Sequence, residues 1–328
     1  MNSRALLLLL AMLWLVLHTA PARAATTCTT SAPDIVITGY DGTAQASANT
    51  TITVRCTTPD FALFGGRAYV NLCLYIDGQP RRLVNGASTL AYELYTASGS
   101  VWQAPSASPP SQQMVNLNYS VGWGGGSGSA TVLINARIPA QSGAVNGTYS
   151  HTLPGVATSA EFRSSEPGFF GDPTAPPASC KTGDIAGANT PNFPFATTAQ
   201  VTTTCQINTA SDLNFGSVEG FITSAVNQTS QINLRCVGGT AWKLGLNNGI
   251  NANGTQRRMK HSAAAEFVDY ELYRDAGRSQ RWGTTLNSDT QNGIGTGNAQ
   301  TVTVYGQVPQ QTATPGDYSD TVTVTITY

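Results

Sequence analysis

One set of sequence landmarks occurs twice, in the same order, along this 328-residue chain. The first set starts at Cys28, reaches Cys56 through T-I-T-V-R-C, and passes Arg81-Arg82-Leu83, L-A-Y-E-L-Y at residues 90–95 and Trp102. It closes with T-V-L-I-N-A-R-I-P at 131–139 and G-T-Y-S at 147–150. The second set has Cys205, Q-I-N-L-R-C ending at Cys236, Arg257-Arg258-Met259, V-D-Y-E-L-Y at 268–273 and Trp282. It closes with T-V-T-V-Y-G-Q-V-P at 301–309 and G-D-Y-S at 316–319. So many matches in register mean one folding unit used twice, which restricts the chain to two tandem domains of a single architecture. Short alternating runs between Gly, Asn and Pro turns make each unit an all-β, immunoglobulin-like sandwich.

The cysteines follow the duplication. Cys28 with Cys56, and Cys205 with Cys236, hold equivalent places and are expected to form one disulfide per copy. Each closes a loop of about 30 residues, worth roughly 3 to 4 kcal/mol. Cys73 and Cys180 have no counterparts and are left to each other by elimination, one of several connectivities that six cysteines allow. The Pro-rich stretch from Gly171 to Ser179 and the polar stretch from Lys181 to Thr190 mark the boundary. The expected layout is an N-terminal domain over 25–180, a linker over 181–190 and a C-terminal domain over 191–328.

The opening residues read as an export signal. Arg4 supplies the positive start, Leu6 to Leu17 are almost wholly apolar, and Ala22-Arg23-Ala24 has the small-x-small cleavage pattern, so residues 1–24 are expected to be removed. That leaves 15 basic side chains against 18 acidic ones, a net charge of −3, because only Arg4 and Arg23 are lost. Nothing in this balance attracts nucleic acid. All six cysteines lie in the exported part, as suits an oxidising compartment.

The last run, Y-S-D-T-V-T-V-T-I-T-Y from Tyr318, alternates strictly and sets Val322, Val324, Ile326 and Tyr328 on one face. A half-buried strand at the end of a sandwich leaves an edge to be covered, and a strand donated by another chain is one way to cover it.

The second copy resembles a known family. L-N-F-G (Leu213 to Gly216), Cys236, R-R-M, Y-E-L-Y-R-D (Tyr270 to Asp275), R-W-G (Arg281 to Gly283) and the terminal P-G-D-Y-S-D-T-V-T-V-T-I-T-Y are similar to the spore coat protein U domain, the pilin module of archaic (Csu-type) chaperone–usher pili. The two-domain layout resembles the tip adhesin of such pili. The resemblance implies that the C-terminal domain is an incomplete pilin fold lacking its last strand. A periplasmic chaperone would fill the gap along Val322, Val324, Ile326 and Tyr328 first, and an adjacent pilin subunit would fill it later. It also implies secretion through the periplasm and an outer-membrane usher, and a place at the pilus tip on the cell surface. After cleavage only Ala25, Thr26 and Thr27 precede Cys28, too few at about 3.3 Å per residue to donate a strand across a sandwich. The first copy departs from the plan at Pro154-Gly155, and residues 155–180 continue past the point where the second copy ends, a candidate source of a closing strand. Whether the copy closes itself, and with which residues, is not read from the pattern.

Three loops of the first copy set large apolar side chains among turn formers: Phe61, Leu63 and Phe64 in T-T-P-D-F-A-L-F-G-G, Trp123 in V-G-W-G-G-G-S-G, and Phe169 and Phe170 in S-S-E-P-G-F-F-G-D-P. The resembled adhesins carry hydrophobic loops that hold abiotic or other surfaces and support biofilm formation, and these six residues are the candidates here. Six such side chains buried against a surface could supply on the order of 10 kcal/mol before ordering costs. A lectin-type tip that stacks these aromatics on a glycan of a host surface, a shaft or coat subunit, and aromatics that merely cap the sandwich ends stay open. The aromatics repeated in both copies, Tyr92, Tyr95, Trp102, Tyr270, Tyr273 and Trp282, are assigned to core packing. Arg81, Arg82, Arg257 and Arg258 are assigned to solvated pairs with Asp or Glu, with a carboxylate-binding role as the alternative, and Glu93 and Glu271 to a solvated strand face. No HExxH, GxSxG or CxxC motif occurs, and only His151 and His261 remain after leader removal. No catalytic residue, cofactor or metal is expected.

Overall fold

The computed structural model describes residues 25–59, 62, 64–77, 80–102, 112–168, 175–183 and 185–328. Its regular elements are all strands. The N-terminal half holds β1 (Thr27–Ser31), β2 (Ile35–Tyr40), β3 (Ala46–Thr58), β4 (Gly66–Ile76), β5 (Arg82–Asn85), β6 (Ser88–Ala91), β7 (Glu93–Thr96), β8 (Gln113–Val121), β9 (Gly126–Ile138), β10 (Gly147–Leu153), β11 (Thr158–Ser165), β12 (Ile185–Ala186) and β13 (Phe195–Val201). The C-terminal half holds β14 (Cys205–Ala210), β15 (Val226–Cys236), β16 (Ala241–Leu246), β17 (Arg257–His261), β18 (Phe267–Tyr273), β19 (Gln291–Ile294), β20 (Ala299–Val308), β21 (Tyr318–Ser319) and β22 (Val324–Thr327).

Alternation explains the strands. In β3, Ile52, Val54 and Cys56 are buried while Thr51, Thr53 and Arg55 face water, as a pleated surface with one dry face requires. The N-terminal half stacks β1-β3-β9-β7 against β2-β13-β10-β5-β6 and β12-β11-β4-β8, with one apolar core. The C-terminal half pairs β14-β15-β20-β18-β17-β21 with β19-β16-β22 around Ile232, Leu234, Trp242, Leu244, Leu246 and Trp282. Three disulfides join Cys28 to Cys56, Cys73 to Cys180 and Cys205 to Cys236. The first and third sit at matching places, bridging β1 to β3 and β14 to β15.

The boundary expected at 181–190 is corrected by the pairing. Ile185 and Ala186 pair with β11, and Phe195–Val201 lies between β10 and β2 in the N-terminal sheet. Residues 191–201 therefore belong to the first half. Polar composition at 181–190 suggested a linker, but the residues after it bury Phe193, Phe195, Thr197, Ala199 and Val201 in the first core. The self-closing segment is likewise 185–201 and not 155–180, since β11 is a pairing partner of β4. The halves meet through backbone. The N–H of Asn146 donates to Gly238 O at 2.8 Å, and the N–H of Gly238 donates to Ala144 O at 3.0 Å.

The repeated arginine forms the acid pair expected of it, but the setting is corrected from solvated to buried. Arg81 and Arg257 are fully buried and ion-paired with Glu93 and Glu271 respectively. Arg81 Nη2 donates to Trp102 O at 2.9 Å, and Arg257 Nη2 donates to Trp282 O at 2.7 Å and Leu246 O at 2.8 Å. A solvated reading missed the burial because the guanidinium turns inward to satisfy carbonyls where two strands end, a need set by tertiary packing. Burial lowers the Arg257 pKa, and the Glu271 carboxylate opposes that shift. Arg82 stays exposed, while Arg258 stacks over Phe267 at 4.1 Å. Tyr92, Trp102, Tyr270 and Trp282 are core residues, and Tyr95 and Tyr273 are half-buried.

Candidate functional site

The duplicated arginine sets a common register for the two halves. Arg81 Nη2 reaches Ile76 O and Arg257 Nη2 reaches Leu246 O, so Ile76 and Leu246 are counterparts. Ile76 pairs with Thr158, and Leu246 pairs with Val324. By strand period, Ala160 then matches Ile326 and Phe162 matches Tyr328. Ser150 pairs with Val84 and Ser319 pairs with Lys260, each three residues beyond the arginine. Hence Tyr149, His151 and Leu153 match Tyr318, Asp320 and Val322.

These matched positions differ in burial. Phe162 is 3% exposed and Tyr328 is 57% exposed. Tyr149 and Leu153 are buried, whereas Tyr318, Val322, Val324 and Ile326 are half-buried. The cause is the segment 185–201, which runs antiparallel beside β11 and β10 along their length. It pairs at Ala186 with Arg163, bonds from Ala160 N–H to Pro191 O at 2.8 Å, and continues through Phe195–Val201 beside Leu153–Gly147. On its other side β13 pairs in parallel with β2.

In the C-terminal half, β22 pairs with β16, and β21 pairs with β17. Residues 320–323, expected as part of one continuous strand, are not in strand conformation. They are held on the β16 side by the loop after it: Ile250 N–H donates to Thr321 O at 3.1 Å, and Asn247 N–H donates to Thr323 O at 3.1 Å. The opposite rim is the stretch S-D-L-N-F-G, the counterpart of P-D-I-V-I-T in and before β2. Ile35 and Ile37 are buried, but Leu213 and Phe215 are half-buried and outside any strand. Among the described residues no strand lies between residues 213–215 and 316–322. The L-N-F-G motif was visible in the sequence, yet its role as a rim was not, because only the alignment of the two halves in space reveals it.

Tyr270, Asp320 and Asn251 sit at this rim. The Tyr270 hydroxyl donates to Asp320 Oδ2 at 2.7 Å, and the backbone N–H and side-chain amide of Asn251 donate to Oδ1 at 3.1 and 3.0 Å. Burial raises the Tyr270 pKa, and Asp320 raises it further. In the N-terminal half Tyr92 meets His151 Nδ1 at 2.7 Å. Burial and then the Arg81 charge lower the His151 pKa, which favours the neutral imidazole beside the Tyr92 hydroxyl.

The second candidate site is the loop end of the N-terminal half. Phe64 is 76% exposed and Trp123 is 72% exposed. Their loops touch, since Ala62 N–H donates to Gly122 O at 3.2 Å. Gly125, at φ +83° in the turn after Trp123, lies so close to Thr58 that a Cβ there would come within 2.5 Å of Thr58 O. The third loop leaves β11 at the same end, because Ser165 pairs with Tyr69 near the start of β4. Beneath the loops, Glu166 accepts the N–H of Thr26 at 2.7 Å and the Ser164 hydroxyl at 3.1 Å, and Thr58 joins Thr26 to Tyr119. Phe61, Leu63, Phe169 and Phe170 lie outside the described residues. No group of three His, Cys, Asp or Glu that could hold a metal occurs among the described residues.

A model of the Spore Coat Protein U domain matches residues 15–155 and 192–325. Protein U of Myxococcus xanthus is 40% identical over 73 residues, which span 22% of this chain and 40% of that protein's length. The chaperone–tip adhesion subunit pre-assembly complex CsuC–CsuE, from archaic chaperone-usher Csu pili of Acinetobacter baumannii, aligns with a TM-score of 0.54 at 16% identity, covering 92% of this chain and all of that chain. At that identity the likeness is one of fold. The CupB6 tip adhesin of Pseudomonas aeruginosa aligns at a TM-score of 0.31 and 11% identity, over 92% of this chain and 95% of that one. With the family model matching most of its length in two regions, the chain belongs to the Spore Coat Protein U domain family.

Proposed function

We propose that this chain is the tip adhesin of a chaperone–usher pilus, that its C-terminal half accepts a strand from another polypeptide, and that its N-terminal loops attach the fibre to a surface and promote biofilm formation. The supporting observation is the contrast in burial at matched positions, above all Tyr149 and Leu153 against Tyr318 and Val322. One half carries its own covering segment, and the other has the same apolar face half-open. A periplasmic chaperone would cover that face during transport to the outer-membrane usher, and a neighbouring pilin would cover it in the fibre. A tip position is supported by the hydrogen bond from Thr26 to Glu166 and by the pairing of β1 with β3, which engage this segment within its own domain.

Co-expression with a pilus chaperone is expected to give a soluble one-to-one complex, and expression in the periplasm without it to give aggregate. A stable monomer without the chaperone would contradict strand acceptance. Attachment is tested separately. Pili carrying Phe64→Ala with Trp123→Ala are expected to lose most binding to polystyrene, since each buried aromatic supplies about 1.5 to 3 kcal/mol and the effect multiplies over many pili. Unchanged binding would remove these loops from the adhesive role, and inhibition of wild-type binding by soluble sugars would point to a glycan target.

A further inference from the structure

We propose that the strand completing the C-terminal half presents a hydroxyl side chain to the Tyr270–Asp320 pair, so that Asp320 selects the incoming strand by hydrogen bonding. The inference rests on the strand-accepting reading above and specifies the chemistry of the partner. The N-terminal half shows the same position filled. β13 sends Phe195, Thr197, Ala199 and Val201 into the core, and Thr197 stands opposite His151. The Thr197 hydroxyl is fully buried and adjoins that of Tyr92, without an aligned hydrogen bond. A filled site therefore gathers tyrosine, histidine and threonine.

In the C-terminal half tyrosine is retained and histidine is replaced by a carboxylate. Asp320 Oδ1 takes two donors from Asn251, while Oδ2 takes the Tyr270 hydroxyl. Gly249 closes over that oxygen so tightly that a Cβ there would lie 1.8 Å from Oδ2, which keeps the carboxylate aimed. A carboxylate oxygen has capacity for a second donor. An aliphatic side chain laid opposite would strip water from Asp320 and return nothing, whereas a serine or threonine hydroxyl would replace the lost bond.

The rest of the strand follows from β13. It runs antiparallel to residues 316–322, with apolar or small side chains inward at alternate positions. In the N-terminal half the N–H of Ala196, one residue before Thr197, donates to Asp34 Oδ1 at 2.7 Å. Asp212 holds the corresponding place in S-D-L-N-F, ready for the same N–H of an incoming chain. The occupant is thus a β-strand of another polypeptide with serine or threonine opposite Asp320.

The test uses the whole mature chain with a flexible linker after Tyr328 and an added copy of F-A-T-T-A-Q-V. Changing the third residue of the added strand from Thr to Val is expected to reduce the folding equilibrium constant of the C-terminal half by about tenfold or more, the scale of a hydrogen bond to a charged group. Thr to Ser there should change it little. With Asp320→Asn, which keeps the shape and removes the charge, the gap between Thr and Val should shrink. Equal or greater stability with Val overturns selection by Asp320 and leaves strand acceptance intact. If no added strand changes the C-terminal half relative to the unextended chain, the accepting edge itself is refuted.

Discussion

Supplying the proposed neighbouring strand in cis is expected to have the largest effect on this protein. The mature chain extended after Tyr328 with a linker and the sequence of residues 195–201 should fold without a chaperone, with a C-terminal unfolding midpoint on the order of 20 °C above that of the unextended chain. The scale comes from domain stability: a shift of about 5 kcal/mol is the low end of what a whole domain possesses. A domain of this size moves by about 4 °C for each kcal/mol. The physical source is the half-open face of Tyr318, Val322, Val324 and Ile326, together with Leu213 and Phe215 on the facing rim. An added strand removes both apolar rims from water and pairs the free backbone edge. Scanning calorimetry of the two chains decides the matter. Coincident midpoints would show that the C-terminal half needs no further strand.

Removal of the inward arginine is expected to be nearly as damaging. Arg257→Ala in the strand-extended chain should cost about 3 to 5 kcal/mol in urea unfolding, because it strands the Glu271 carboxylate and leaves the Leu246, Asn247 and Trp282 carbonyls without their donor. Arg281, which donates to Glu271 Oε2 at 2.7 Å, retains part of the compensation. Arg258→Ala should cost under about 1 kcal/mol, since that side chain is only half-buried and stacks on Phe267. A cycle with Glu271→Ala should return a coupling of at least about 1 kcal/mol, as contacting residues do. An Arg257→Ala chain as stable as Arg258→Ala would show that the repeated arginine is not a structural tie.

The two-fold organisation, the β class and the two duplicated cysteine pairs were legible in the sequence because each follows from local period or from repetition, while the Cys73–Cys180 pair was one of several connectivities until the structure fixed it. Alternating Val, Ile and Thr dictate strands, and equal spacing of Cys28–Cys56 and Cys205–Cys236 marks equal bridges. Exposure of Phe64 and Trp123 was also legible, since neither Gly-rich turn can bury its side chain locally. The acid pairing of Arg81 and Arg257 was legible too, but its burial was not, because a guanidinium beside a carboxylate reads as solvent-facing. Only the meeting of β4 with the Trp102 segment, and of β16 with the Trp282 segment, creates carbonyls that draw it inward.

The amino-acid sequence alone thus determined the β class, the two duplicated disulfides and how often the unit occurs, all properties of near neighbours and of repeats. Tertiary structure alone decided where the first unit ends and which segment covers it. Residues 195–201 lie beyond a polar stretch that resembles a linker, yet they pair with β10 and β2 from distant parts of the chain. Strand period specifies which side chains face inward but not which edge they pair with. That choice depends on long-range pairing, and it separates a half that covers itself from one whose matching face stays half-open.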